Sequence, residues 1–171
     1  MNGPLTREQL REIQGPIKER YRDQPDAALI TLEADGTLEE GISCSVRTGQ
    51  ALVKAGLHPG TGGDPSLACS GDMLLQALAA CAGVTMRSVA TSMELEVSGT
   101  VHAEGDLDWR GTLAVDSDAP VGFSAIRLSF ELESDASDEE LEKLQQLTER
   151  YCVVYQTLVG TQDLSVSLRR S

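Results

Sequence analysis

Residues 71–93, GDMLLQALAACAGVTMRSVATSM, constrain this chain more than any other stretch. They read as one helix of about six turns. Leu75, Ala79, Ala82, Met86, Val89 and Met93 recur at helical spacing and form one apolar stripe. Leu74, Leu78, Cys81 and Thr85 form a second stripe beside it, and Asp72, Gln76 and Arg87 keep to a narrow polar face. A helix apolar over so much of its girth is buried, so the core must close around it. The small residues Ala79, Ala80, Ala82 and Gly83 let other backbone come close where Cys81 sits. A thiol is thereby placed on a buried surface in mid-helix.

The 171 residues are enough for one domain with a substantial core. A formal charge of −13 argues against nucleic acid or an anionic membrane as a partner. Every apolar run is broken by a polar residue, so no membrane span is expected. The start of the chain, MNGPLTREQLREIQ, is charged and lacks the apolar core of a signal peptide, so a cytoplasmic location is expected. In that reducing compartment the four cysteines, Cys44, Cys69, Cys81 and Cys152, are poor candidates for structural disulfides. With no CxxC pair and only His58 and His102, a zinc site has no support.

Thr6 and Gln9 fit a capping box opening a helix over 7–14, and Gly15-Pro16 predicts a break before a second helical piece reaching Arg22. Short strands are expected over 28–33, 40–47 and 51–54, with a hairpin turn at Asp35-Gly36. Residues 56–71 form a long Gly- and Pro-rich loop, of a length more often functional than accidental. Its glycines lack a P-loop lysine and a dinucleotide fingerprint, which disfavours a phosphate cradle. Strands are expected over 96–104, 108–115 and 123–132. Ser137 and Glu140 make a second capping box. The helix it opens carries the stripe Leu141, Leu144, Leu147 and Tyr151 and delivers Cys152 at its C-terminal end. Leu164, Val166 and Leu168 alternate in a last strand.

Strands in succession rather than alternation with helices indicate an α+β fold. Residues 1–25 read as a helical extension and 26–171 as the main domain. So few strands cannot wrap the central helix, so an intimate homodimer is expected to complete its cover.

Two segments, SGDMLLQALAACAGVT around Cys81 and ERYCVVYQTL around Cys152, resemble the paired cysteine motifs of the OsmC/Ohr family, the osmotically inducible and organic hydroperoxide resistance proteins. The resemblance runs from about residue 40 to the C-terminus. It implies an intertwined α+β dimer, with antiparallel sheets packed around two central helices, and thiol-dependent reduction of organic or lipid hydroperoxides. Cys81 would attack the peroxide and Cys152 would resolve the sulfenic acid as a disulfide. A dithiol reductant would close the cycle, without metal or organic cofactor.

In the Ohr branch an arginine in a GGRDG-like turn supplies positive charge, and VRTGQALV places Arg47 at the matching position. The resemblance also implies a carboxylate near the start of the central helix that holds the arginine. Asp72 stands where the ELLLAALAAC form has Glu, shorter by one methylene, and Gly71 stands where the Ohr branch has its Glu. Leu74 and Leu78 would offer an apolar substrate an aliphatic wall. Tyr151, Tyr155 and Met86 either line that pocket or pack. Cys44 and Cys69 read as structural, with a substitute resolving role as the alternative for Cys69. Two rival functions fit the same fold, a non-catalytic binder of a small apolar ligand and a thiol redox sensor.

Overall fold

A computed structural model describes residues 6–29, 31, 36–39, 43–48 and 51–170, with backbone alone at 25, 36–39, 43–48 and 51. Helix α1 spans Arg7–Asp23 and opens with the expected capping box, in which the Gln9 amide donates to Thr6 Oγ1 (3.2 Å) and the Thr6 amide to Gln9 Oε1 (3.0 Å). It does not break at Gly15-Pro16, as its sequence predicts. Pro16 deprives the Glu12 carbonyl of its helical donor, but both residues are exposed, so water can take that place. A 3-10 turn, Pro25–Ala28, occupies the start of the strand expected over 28–33, most of which lies outside the described residues.

The first sheet has the order β1-β2-β3-β4, with β1 at Gly36–Glu39, β2 at Ser43–Thr48, β3 at Ala51–Gly56 and β4 at Ala68–Cys69. Gly36 pairs with Val46 and Glu39 with Ser43. β1 and β2 are antiparallel; Gly36 is the first residue of β1, and the rest of the turn expected at Asp35-Gly36 lies outside the described residues. The long loop ends by laying β4 parallel to β3, Ala68 opposite Ala55 and Cys69 opposite Gly56, which fixes where the central helix starts.

That helix, α2, spans Ser70–Met93 and buries Leu78, Ala82, Met86, Val89 and Ala90. The second sheet joins β5 (Ser98–Asp106) to β6 (Ala125–Glu133), in register from Ser98 opposite Glu133 to Asp106 opposite Ala125. The strand expected over 108–115 is instead the short helix α3, Trp109–Thr112. The Asp108 carboxylate accepts from the Arg110 amide (3.0 Å) and from its guanidinium, folding the chain on itself where a strand would extend it.

Helix α4, Asp138–Tyr151, carries the second capping box and buries Leu144 and Thr148. Leu144 joins Met86, Val89, Ala90 and Val97 in the core, with Leu141 and Leu147 packed at its edge. Tyr151 departs from the expected stripe: it is 58% exposed, with the Arg150 guanidinium 5.5 Å from its ring centre. A helix absent from the sequence reading, α5 (Val153–Val159), follows at once. The strand expected at 164–168 is not formed; Leu164, Val166 and Leu168 are all at least 90% exposed. Among the described residues no strand pairs with them, and alternation makes a strand only where a ladder is available.

One side of α2 is also uncovered, with Val84 72% exposed and Leu74 37%. By length and mean hydropathy (1.4 over its most apolar window) α2 would suit a bilayer. It packs against α4, α5 and β5, burying Leu78, Ala82, Met86, Val89 and Ala90. The polar residues that break its apolar runs do not take it below the length and hydropathy of a span, contrary to the expectation from the sequence.

Candidate functional site

The site is built where three helices meet. Cys152 ends α4, its amide donating to the Thr148 carbonyl at 2.9 Å, and in the same position caps α5, its sulfur accepting from the Tyr155 amide at 3.5 Å. One residue thus serves two helix ends, and it is fully buried. Leu144, Thr148 and Cys152 follow one another at i, i+4 spacing down the α4 face that packs on α2, so the core-forming stripe itself delivers the thiol.

Cys81 comes from the middle of α2, half-buried against α5. It lies near the first turn of α5 and Cys152, with Thr85 one turn further along its own helix. The first turn of a helix leaves its amides without internal partners, so those of α5 are free to point at a neighbouring anion. Both cysteines are free thiols, as is Cys69.

The electrostatics of the pair follow from this arrangement. Burial pushes the Cys81 thiol up, but the amides of Val154 and Val153, with Cys152 and Thr85, outweigh it and hold Cys81 below the ordinary thiol value. For Cys152 burial acts in the same upward direction and dominates. The Tyr155 amide only partly relieves it, and negative charge on Cys81 raises Cys152 further. The result is a pair of unlike thiols, Cys81 the more readily ionised and Cys152 the less.

The other sequence candidates lie elsewhere or beyond description. The backbone of Arg47 pairs with Leu52 and that of Cys44 with Ala55, while the side chains of both are outside the described residues. Asp72, nine residues before Cys81 and so about 14 Å away along α2, lines a different cavity of about 230 Å³ with His58, Cys69, Leu75, Trp109 and Phe123. There the His58 ring stacks on Trp109 at 4.9 Å. Met86 belongs to the core, which settles its role as packing. Leu78 is buried and Leu74 half open, so only Leu74 offers an accessible apolar surface on the stripe that carries Cys81. Among the described residues no three His, Cys, Asp or Glu are grouped to hold a metal. The sequence reading missed the contributions of Thr85 and α5. Thr85 stood in the Cys81 stripe at i+4, but nothing local signalled that a new helix would begin at Val153.

The profile of the OsmC-like protein family matches residues 63–167, from the end of the long loop to beyond α5. The chain belongs to the OsmC-like family. Its fold is similar to the crystal structure of an OsmC-like protein from Mycoplasma pneumoniae (TM-score 0.61, 20% identity, covering 77% of this chain and 89% of that one). It is similar also to organic hydroperoxide resistance proteins from Legionella pneumophila (TM-score 0.57, 18% identity, 78% and 92% covered) and Elizabethkingia anophelis (TM-score 0.55, 18% identity, 78% and 91% covered). Comparison with curated proteins gives no match. Cys81 and Cys152 of this OsmC-like chain fall within the matched residues, as does Cys69, whereas α1 and Arg47 fall outside them.

Proposed function

We propose that this OsmC-like protein is a thiol-dependent peroxidase acting on organic hydroperoxides. The observation that carries the reading is the adjacency of Cys81 and Cys152 as free thiols whose ionisation is shifted in opposite directions. Similarity to proteins named for organic hydroperoxide resistance supports the same reaction class.

In the first step the Cys81 thiolate attacks one peroxide oxygen; an S–O bond forms as the O–O bond breaks. The alkoxide leaves and takes a proton from water, so Cys81 is oxidised to a sulfenic acid and the peroxide reduced to an alcohol. Cys152, deprotonated, then attacks that sulfur. The S–S bond forms, and hydroxide departs and is protonated to water. A dithiol reductant restores both thiols by exchange.

Arg47 is the cation this reading assigns to the peroxide, its planar fork suiting two oxygens. Asp72 enters only through a second subunit, since it is a long way from Cys81 in its own chain. The protein acts in this reading as an intimate homodimer, whose partner covers the open side of α2 and supplies a ladder for residues 164–168. The compartment is the reducing cytoplasm.

The test is a thiol count before and after stoichiometric cumene hydroperoxide, with peptide mapping of any new disulfide. Rapid loss of two thiols per chain and a Cys81–Cys152 link is the expected result. Thiols that stay free under excess peroxide would overturn it. The cavity shared by His58, Asp72, Trp109 and Phe123 favours a second reading, a small-ligand binder on this fold, and that outcome would select it.

A further inference from the structure

The cavity at the start of α2 is walled by side chains from four separate segments: His58 from the long loop, Leu75 from α2, Trp109 from α3 and Phe123 from the segment before β6. Two of its rings are seated on glycines. A carbon added to Gly105 would come within 2.6 Å of the Phe123 ring, and one added to Gly60 within 2.8 Å of the Trp109 indole nitrogen. The His58 ring stacks on that of Trp109, with centroids 4.9 Å apart and planes 20° from parallel. His58 is fixed in turn, because its Nδ1 accepts from the Gly60 amide at 3.0 Å, which only an unprotonated nitrogen can do. The aromatic walls are thus set before any ligand arrives. Gly71 keeps the space beside them open: a carbon there would meet Phe123 at 3.4 Å and Cys69 Sγ at 3.6 Å, ordinary contact distances.

A cavity of about 150 Å³ takes up benzene, so about 230 Å³ is room for one ring with a short arm. With His58 neutral, Asp72 brings the one formal charge to this wall, and among the described residues its carboxylate has no ion-pair partner. An anion would meet Asp72 and a chain of net charge −13. A cation would meet the carboxylate and the electron-rich faces of aromatic rings. We propose that this cavity binds a small organic cation, an ammonium carried on a single apolar ring, with the charge at Asp72 and the ring among Leu75, Trp109 and Phe123. The proposal rests on the small-ligand reading, to which it adds a ligand class. It needs nothing from the thiol pair, since Asp72 is about 14 Å from Cys81 along α2.

Trp109 is the only tryptophan in the chain, so its fluorescence reports on this cavity. The experiment titrates the full chain with benzylamine, benzyl alcohol and benzoate at about pH 8, where histidine is neutral and benzylamine keeps its proton. Benzylamine is expected to change the emission saturably and to bind at least about three-fold tighter than benzyl alcohol, with no saturable change from benzoate. Asp72→Asn is expected to abolish the preference for benzylamine while still binding the alcohol, a pattern that a misfolded variant does not give. Gly71→Ala and Gly71→Leu occupy the cavity from ordinary helical backbone. Both are expected to keep the wild-type circular dichroism and to weaken benzylamine, the leucine variant at least about ten-fold. No saturable benzylamine response up to about 10 mM would overturn the proposal, and so would an unchanged preference in Asp72→Asn. Benzylamine binding to Arg47→Ala but not to wild type would make Arg47 the partner of Asp72 and overturn it too. Equal affinity for benzyl alcohol would sink the cation and leave the small-ligand reading standing, whereas silence from all three probes would remove both.

Discussion

Cys81 and Cys152 are 71 residues apart in sequence, yet their thiols meet at the junction of α2, α4 and α5. They arrive by different means: Cys81 lies along the side of a helix, and Cys152 sits at the point where one helix ends and another begins. That difference sets their chemistry. A residue facing the start of α5 receives amides aimed at it, whereas the residue capping α5 spends its sulfur on the Tyr155 amide and stays buried.

Separate roles for the thiols predict separate phenotypes. Cys81→Ser is expected to lower peroxide consumption to the uncatalysed background. Cys152→Ser is expected to preserve one stoichiometric reduction while cutting steady-state turnover with a dithiol at least about ten-fold, because the sulfenic acid is then resolved slowly from solution. Dimedone labelling of Cys81 in the Cys152→Ser protein checks this; absence of label together with full turnover contradicts it.

Alkylation should distinguish the two thiols by pH. The thiolate reacts, and Cys81 is held below the ordinary thiol value, so its rate should reach half-maximum at a pH below that of an unperturbed thiol. Cys152 is shifted the other way and should react only above that value. The lowered group stabilises the fold above its unfolded value, and that contribution is lost as pH falls through its folded value. Midpoints in the opposite order would contradict the arrangement of donors described above.

Leu144 is fully buried between α4 and α2, one turn before Thr148 and two before Cys152. Leu144→Ala should cost about 2–5 kcal/mol in urea unfolding. Because the same stripe carries the thiol, it should also slow formation of the Cys81–Cys152 disulfide under conditions where the variant remains folded. An unfolding cost below about 1 kcal/mol would mean that the α2–α4 contact is not the core contact.

Residues 161–170 expose an alternating apolar edge on a single chain. Under the dimer proposal, wild-type protein should sediment at twice the chain mass. A chain ending at Gly160 should dissociate at concentrations at least about ten-fold higher than wild type does. Monomeric wild-type protein at micromolar concentration would remove the dimer from the proposed function.

The long apolar helix, both capping boxes and the position of Cys152 at a helix end were legible because each rests on short-range rules. These are 3.6-residue periodicity in 71–93, side chains satisfying amides three residues on at Thr6 and Ser137, and a stripe that runs out at Tyr151. The same rules misled at Asp108, where an apolar alternation was outweighed by an ion pair closing a turn, and at Gly15-Pro16, where the exposed helix runs through. Alternation over 164–168 described a strand without describing what it pairs with. The sequence by itself determined the fold class and the family, because hydrophobic period and paired cysteine motifs are written along the chain. Only tertiary structure decided what surrounds Cys81 and so which way its ionisation shifts. The donors come from Thr85 on its own helix and from α5, over seventy residues further on, and a thiol's ionisation depends on what surrounds it in space.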